Sequence, residues 1–320
     1  MDKTQIKTQT TLNLNYEKKV LEIWPEWTEY IQKLIQKENL SYEDLKAIAL
    51  FIRMLIVDMV AHAKSGHPGG ALGLADIYTY LYFKHLKLEL KNPFAENRDR
   101  LILSHGHVCA VRYSAMALKG ILPLEELYTF RKIGSRLQGH PSTRYLPEAE
   151  NSSGSLGQGL STASGLALGL RLQKNPARVF VGISDGECQE GMTWEAAMAA
   201  AHYQLGNLTG FLDYNDIQID GFVHNVMNVG NLAEKFRAFG WLVREASGHD
   251  FSAIEEAFHW ANADREKPAM IVFRTTLGKG VSFMENNPGW HGKPPGEEDR
   301  VKALKELFSV AQKQMEKESI

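Results

Sequence analysis

Cysteine is nearly absent from the 320-residue chain: only Cys109 and Cys188 occur. Neither has metal-ligand spacing, so a disulfide framework and a cysteine-based zinc site are excluded. Two buried or partly buried free thiols in a reducing compartment are expected. An excess of one charge is also missing. The 36 basic and 38 acidic residues give a formal net charge of -2, which provides no global field for nucleic acid. No apolar run reaches membrane-spanning length, since Met54-Leu55-Ile56-Val57 is cut short by Asp58. The polar stretch Met1 to Asn15 has no signal-peptide core, so the cytoplasm is the expected compartment. The Asn-x-Ser and Asn-x-Thr triplets at Asn151 and Asn207 are then incidental. Internal repeats are missing too.

What remains is the composition of an ordinary globular protein, 44% hydrophobic and 23% charged, long enough for one large α/β domain or two smaller ones. Residues 1–40 read as a charged extension carrying Trp24, Trp27 and Tyr30, one amphipathic helix packed against the domain or a partner. From Tyr42 to Ala63 the positions Leu45, Ile48, Ala49, Ile52, Leu55, Ile56 and Met59 follow helical spacing. That helix should stop before Ser65-Gly66-His67-Pro68-Gly69-Gly70, read as a glycine-rich turn. Short apolar strands are then expected at 101–103, 179–183, 208–213, 241–245 and 270–274. Helices are expected at 107–119, 159–172, 193–204, 232–239, 251–263 and 300–317. Continuous apolar strands alternating with helices predict one doubly wound α/β domain over 41–320, a parallel sheet with helices on both faces.

Asp185-Gly186 and, thirty positions later, Asn215 each follow an expected strand. Residues just past the carboxyl ends of neighbouring parallel strands converge on one crevice. A carboxylate and an amide oxygen are hard donors, suited to Mg²⁺ or Ca²⁺ rather than zinc. Gly186 lets a bulky anion approach the backbone, and the helix beginning nearby favours negative charge. The direct reading is a divalent cation held with a diphosphate.

The spacing resembles the thiamine diphosphate-binding motif. Five more polar, glycine-rich turns accompany it: the one around His67, then Ser104-His105-Gly106-His107, Gln138-Gly139-His140-Pro141, Gly154-Ser155-Leu156-Gly157-Gln158-Gly159 and Trp290-His291-Gly292. In this order, from about Ser65 to His291, they are similar to the amino-terminal half of transketolase.

The resemblance implies a thiamine diphosphate-binding fold and a role for each matching residue. Asp185, Asn215 and the carbonyl of Ile217 match the metal ligands, for Mg²⁺ with Ca²⁺ or Mn²⁺ able to replace it. Gly186 and His107 match diphosphate contacts. Gly154 and Leu156 match the loop against the cofactor's rings, and His67, His140 and His291 match histidines lining the substrate channel. Glu190 and Glu195 match acids of a proton-sharing network at a subunit interface. Ser184 departs from the pattern by standing where glycine is usual. The family's second half, which carries the glutamate that activates the cofactor, has no counterpart here. The expected protein is therefore the amino-terminal subunit of a split transketolase. It would move a two-carbon ketol unit between sugars or sugar phosphates, in an α2β2 heterotetramer with a separate carboxyl-terminal chain.

Blander readings exist for each feature. Asp185 and Asn215 are common cap and turn residues, and Glu190 and Glu195 suit the solvated start of a helix. His105 reads as a solvent-facing turn residue. His62, His85, His202, His224, His249 and His259 read as structural, and Lys279 as an exposed loop lysine. The 154–159 stretch lacks both the glycine spacing and the preceding strand of a dinucleotide site. Rival functions are another thiamine diphosphate enzyme subunit, acting on a 2-oxoacid or a modified sugar, and a non-catalytic thiamine diphosphate-binding protein. The α subunit of a 2-oxoacid dehydrogenase lacks the early Ser-Gly-His-Pro-Gly and late Trp-His-Gly segments. A pure binder would not need channel histidines.

Overall fold

The computed structural model describes residues 19–318, apart from 91, 93, 264 and 265. The first eighteen residues of the expected 1–40 extension lie outside them. Five parallel strands form the main sheet: β1 (Arg100–Leu103), β2 (Val179–Ser184), β3 (Leu208–Tyr214), β6 (Leu242–Ser247) and β7 (Ala269–Arg274). Their order is β1-β2-β3-β7-β6. A small antiparallel hairpin, β4 (Ile217–Gln218) with β5 (Gly221–Phe222), leaves the carboxyl end of β3.

Alternation along the strands divides the core in two. Leu101, Leu103, Phe180, Phe211, Ile271 and Phe273 point into one apolar cluster, shared with the helices Tyr42–Ala63, Cys109–Leu118 and Phe251–Ala263. Ile102, Val181, Ile183, Leu212, Met270 and Val272 point into the other, shared with Gln158–Leu172, Gly191–His202 and Leu232–Ala238. A parallel sheet buried on both faces is the arrangement its continuous apolar strands demand.

The helix Tyr42–Ala63 starts at a capping box, with Ser41 Oγ accepting from the Asp44 N–H and Asp44 accepting from the Ser41 N–H. The predicted stripe is buried, and so is nearly everything around it, including Arg53 and Asp58. Burial of those charges requires partners. Arg53 grips Asp76 through two hydrogen bonds of 3.0 and 2.6 Å. Asp76 also takes His249 Nδ1 at 2.8 Å, and His249 Nε2 accepts the Thr276 N–H at 2.9 Å. Asp58 accepts from Arg300 at 2.5 and 2.6 Å and from the Val20 N–H at 2.8 Å, with His62 at 3.4 Å. The helix Glu297–Glu318 and the amino-terminal segment are thereby tied to one carboxylate.

Two expectations need correcting. The extension forms two helices, Val20–Ile23 and Pro25–Leu34, because Pro25 cannot continue the first but fits the start of the second. They pack on the domain through Trp27, Ile31 and Leu34, and Trp24 stacks on Phe308 at 4.5 Å. The expected glycine-rich turn at 65–70 ends at His67, where Pro68 starts the helix Pro68–Gly73. Gly69 and Gly70 serve close approach there: a Cβ on Gly69 would lie 2.7 Å from Leu277 Cδ2 and from the Trp290 carbonyl. Both cysteines are free and buried. Among the described residues no helix is long and apolar enough to cross a membrane.

Candidate functional site

Asp185 and Asn215 sit side by side at the carboxyl edge of the sheet. β2 and β3 pair with Ser184 opposite Asp213, and the Asp185 N–H donates to the Asp213 carbonyl at 3.2 Å. Asp216 adopts a left-handed conformation, φ 59, which turns its N–H onto Asp185 Oδ2 at 2.5 Å. The other oxygen, Oδ1, accepts from Gly186 N–H at 2.7 Å. Asn215 donates through Nδ2 to Asp213 Oδ2 at 2.9 Å, and its Oδ1 accepts the Ile217 N–H at 2.9 Å. The amide oxygen and the Ile217 carbonyl thus belong to the same tight turn. Asp213 is further held by the Thr275 hydroxyl.

Electrostatically the site is short of positive charge. Burial, and then neighbouring Asp213, push the Asp185 carboxyl up to about 8. Burial alone drives Asp213 upward, to about 6 against the hydrogen bonds from Thr275 and Asn215. Glu187 rises to about 7 by burial, although Ser104, Gly157 and Ser184 all donate to it. Among the described residues no lysine or arginine pairs with any of the three. A divalent cation is the group that would relieve such a cluster, and the oxygen donors suit a hard one. Among the described residues no group of three or more His, Cys, Asp or Glu could hold a metal.

Glu187 also explains how neighbouring loops are placed. Ser104, at the end of β1, donates to Glu187 and accepts from the Gly159 N–H at 2.9 Å. The Gly157 N–H donates to Glu187 at 2.6 Å. One buried acid therefore joins the ends of β1 and β2 to the 154–159 loop. Gly159 must be glycine, since a Cβ would lie 2.3 Å from Ser104 Cβ. Ser184 is accommodated here: its hydroxyl accepts the Glu187 N–H at 3.2 Å. Beside this loop opens a cavity of about 320 Å³ lined by residues between Ser152 and Thr162, Gly154 included. Leu156 is half-buried next to it.

Four histidines gather above the same edge. The His67 ring lies 5.2 Å from His107, 6.4 Å from His140 and 5.9 Å from His291, and His107 lies 5.2 Å from His291. Burial holds all four below the ordinary histidine value, and neighbouring groups add to it for His67, His107 and His140. For His67 the result is about 4, with His291, Arg131 and His140 as the added causes. His107 lies well below, and His140 and His291 are lowered by burial, with Arg131 adding to the first. The rings are therefore neutral near pH 7, each with one donor and one acceptor nitrogen. Nδ1 of His67 and of His291 is buried without a partner among the described residues.

His105 corrects an expectation. It is fully buried, and its Nδ1 lies 3.0 Å from the Gly182 carbonyl, because the end of β1 turns it under the sheet edge rather than into solvent. Glu190 stands at the N-cap of the helix Gly191–His202, and Glu195 lies in its second turn. Both are exposed, on a face that also shows Met192 at 41% and Met198 at 57% exposure. Lys279 pairs with Glu285 at 3.3 Å. Asp213, Glu187, Thr275 and Arg131 were not singled out from sequence. An acid closing the apolar run of β3 was a usable signal for Asp213 alone.

The chain matches the family model "Transketolase, thiamine diphosphate binding domain" over residues 45–317. It is 38% identical over 275 residues to the 6-deoxy-6-sulfo-D-fructose transketolase subunit SqwG of Clostridium sp. (strain MSTE9), covering 86% of this chain and 97% of that protein. It is 36% identical over 267 residues to one apulose-4-phosphate transketolase subunit of Phocaeicola vulgatus, covering 83% of this chain and 94% of that one. Against transketolase 2 of Escherichia coli the identity is 39%, but only 41% of that longer protein is covered. The crystal structure of transketolase from Campylobacter jejuni superposes with a TM-score of 0.78 at 37% identity, over 82% of this chain and 42% of that one.

Proposed function

Because the chain belongs to the transketolase family, in its thiamine diphosphate-binding domain, we propose that it is the amino-terminal subunit of a two-subunit transketolase. The observation that carries this is the alignment along 97% of a protein itself named as a transketolase subunit. The partner is a separate chain carrying the pyrimidine-binding domain, and the assembly is an α2β2 heterotetramer. Exposed Met192 and Met198 beside Glu190 and Glu195 support an intersubunit contact on that face.

Asp185, Asn215 and the Ile217 carbonyl would hold Mg²⁺. Gly186 and His107 would meet the diphosphate, and Gly154 and Leu156 the rings. When bound, thiamine diphosphate supplies the carbanion sink for breaking and re-forming a C–C bond beside a carbonyl. The task of this chain's residues is positioning and proton traffic. His67, His140 and His291 are neutral, so each can donate to a sugar hydroxyl or oxyanion from one nitrogen and accept from another. The substrate class is a ketose carrying an anionic group, since the named relatives act on a sulfosugar and on a sugar phosphate.

The test is reconstitution. The chain, its partner, thiamine diphosphate and Mg²⁺ should transfer a ketol unit from at least one of xylulose 5-phosphate, apulose 4-phosphate and 6-deoxy-6-sulfo-D-fructose, whereas either chain alone should not. Full turnover by this chain alone would rule out the two-subunit reading. Turnover of pyruvate and of no ketose would rule out the reaction class.

A further inference from the structure

Arg131 lies under the histidine cluster on a backbone that side chains rarely adopt. Its φ is 59, and its N–H donates to the Leu137 carbonyl at 2.9 Å, closing the loop that leads from buried Phe130 to His140. A left-handed arginine is costly by about 1 kcal/mol or more, and such strain persists only where the surroundings enforce it. The enforcement is visible in what the guanidinium touches. Nη1 donates to Ser65 Oγ at 3.0 Å and Nη2 to the Gly139 carbonyl at 3.1 Å. Ser65 precedes His67 by two residues, and Gly139 immediately precedes His140. The packing leaves no slack, since a Cβ on Gly139 would lie 2.4 Å from the Arg131 Cζ.

Resting on the transketolase reading above, we propose that Arg131 is a positioning residue for that reaction: its fork fastens the His67 loop to the His140 loop and fixes the spacing of the two rings across the substrate channel. Arginine suits the task because its planar guanidinium presents donors in a fixed geometry, which a lysine ammonium cannot reproduce. The fork also places a permanent positive charge beside both imidazoles. The groups facing His67 are His107, His140, His291 and Arg131, and those facing His140 are His67 and Arg131. Burial is the first cause that keeps both rings neutral, and the Arg131 charge adds to it. The Arg131 Nε is buried with no hydrogen-bond partner among the described residues, so its N–H is a donor that the two loops do not use.

The test compares Arg131→Met, Arg131→Lys and Ser65→Ala in the reconstituted complex, together with histidine ¹³Cε1 titrations of each full chain by NMR. In Arg131→Met, kcat should fall by about 10²-fold, the scale of a misplacement of reacting groups. Affinity for thiamine diphosphate should stay unchanged. His67 and His140 should titrate at higher pH, and the acid limb of kcat/KM should move the same way. Arg131→Lys should keep the histidine titrations but still lose turnover. Ser65→Ala, which leaves Arg131 in place, should show a smaller loss of kcat. Wild-type kcat in Arg131→Met, or His67 and His140 titrating there as in the wild type, would overturn the assignment. If the wild-type complex transfers no ketol unit, the functional reading fails instead, while the NMR titrations still decide whether Arg131 governs the two rings.

Discussion

Asp213 holds Asn215 by its amide nitrogen, 2.9 Å from carboxylate to Nδ2. That contact decides which end of the side chain is an oxygen. With the NH₂ fixed on an acid, the carbonyl end stays on the side of the Ile217 turn, toward Asp185. Asp213→Asn removes the charge and turns one of its two acceptor oxygens into a donor, so this orientation is no longer enforced. The expected outcome is a loss of Mg²⁺-dependent thiamine diphosphate affinity of about 10- to 100-fold, the usual effect of removing an outer-shell partner. Titration calorimetry with the intact chain checks it. The fold should be retained, because the substitution removes a buried acid rather than creating one.

Asp185→Asn should act more severely. The proposed metal set has a single carboxylate, and the amide that replaces it is a neutral, weaker donor. Cofactor binding in the presence of Mg²⁺ should weaken by about 100-fold or more, and EDTA should have little further effect on the variant. A variant that still binds thiamine diphosphate in a Mg²⁺-dependent way at wild-type affinity would exclude Asp185 as a ligand.

His291→Ala separates chemistry from binding. His291 stands 5.9 Å from His67 and 5.2 Å from His107, ring to ring. Its proposed task is donation or proton transfer to the sugar, which is worth typically 10²- to 10⁴-fold for a positioned acid or base. In the complex, kcat should fall on that scale while cofactor affinity changes little. Equal loss of both would count against the channel role.

The ties to Asp58 should make the amino-terminal segment sensitive to pH at both ends. Burial alone would raise the Asp58 pKa, but His62, Arg300 and the Val20 N–H outweigh it and lower it. Its contribution is present above the unfolded Asp value, about 3.9, and is lost as pH falls through the lower folded one. The His62 pKa is raised, chiefly by the hydrogen bond to Asp58. That contribution is complete below about pH 6.5 and is lost as pH rises through the folded value. Limited proteolysis around Lys19 to Leu34 should therefore be slowest between about pH 4 and 6.5. Arg300→Ala should cost about 3–5 kcal/mol in denaturant unfolding, because it leaves a buried charge without its main partner.

Much of the scaffold was legible before any coordinates. Phe251–Ala263 and Tyr42–Ala63 match the expected helices end to end, and each expected strand of the main sheet is found within a residue or two. Apolar periodicity carries that information locally. The helix Pro68–Gly73 was not legible, because glycines in sequence signal flexibility. Their purpose here is contact with Leu277 and Val108, more distant in the chain. His105 failed for a similar reason: its neighbour His107 shares its polarity, and only the path of β1 decides which ring goes under the sheet. Asp213 and Glu187 act through partners in other loops, and no short motif shows such pairs. Arg131 left no sequence signal at all, since its meaning lies in two hydrogen bonds to segments 66 and 8 residues away.

The Asp58–Arg300 pair spans 242 positions, and that span has a consequence for biosynthesis. Until Arg300 has been synthesised, Asp58 can meet His62 and the Val20 N–H but not the guanidinium that the folded protein places on it. The enclosure of the Tyr42–Ala63 helix seen in the structure is complete only with Arg300 in place on Asp58. Enclosure of the first long helix thus depends on a contact made by one of the last helices described.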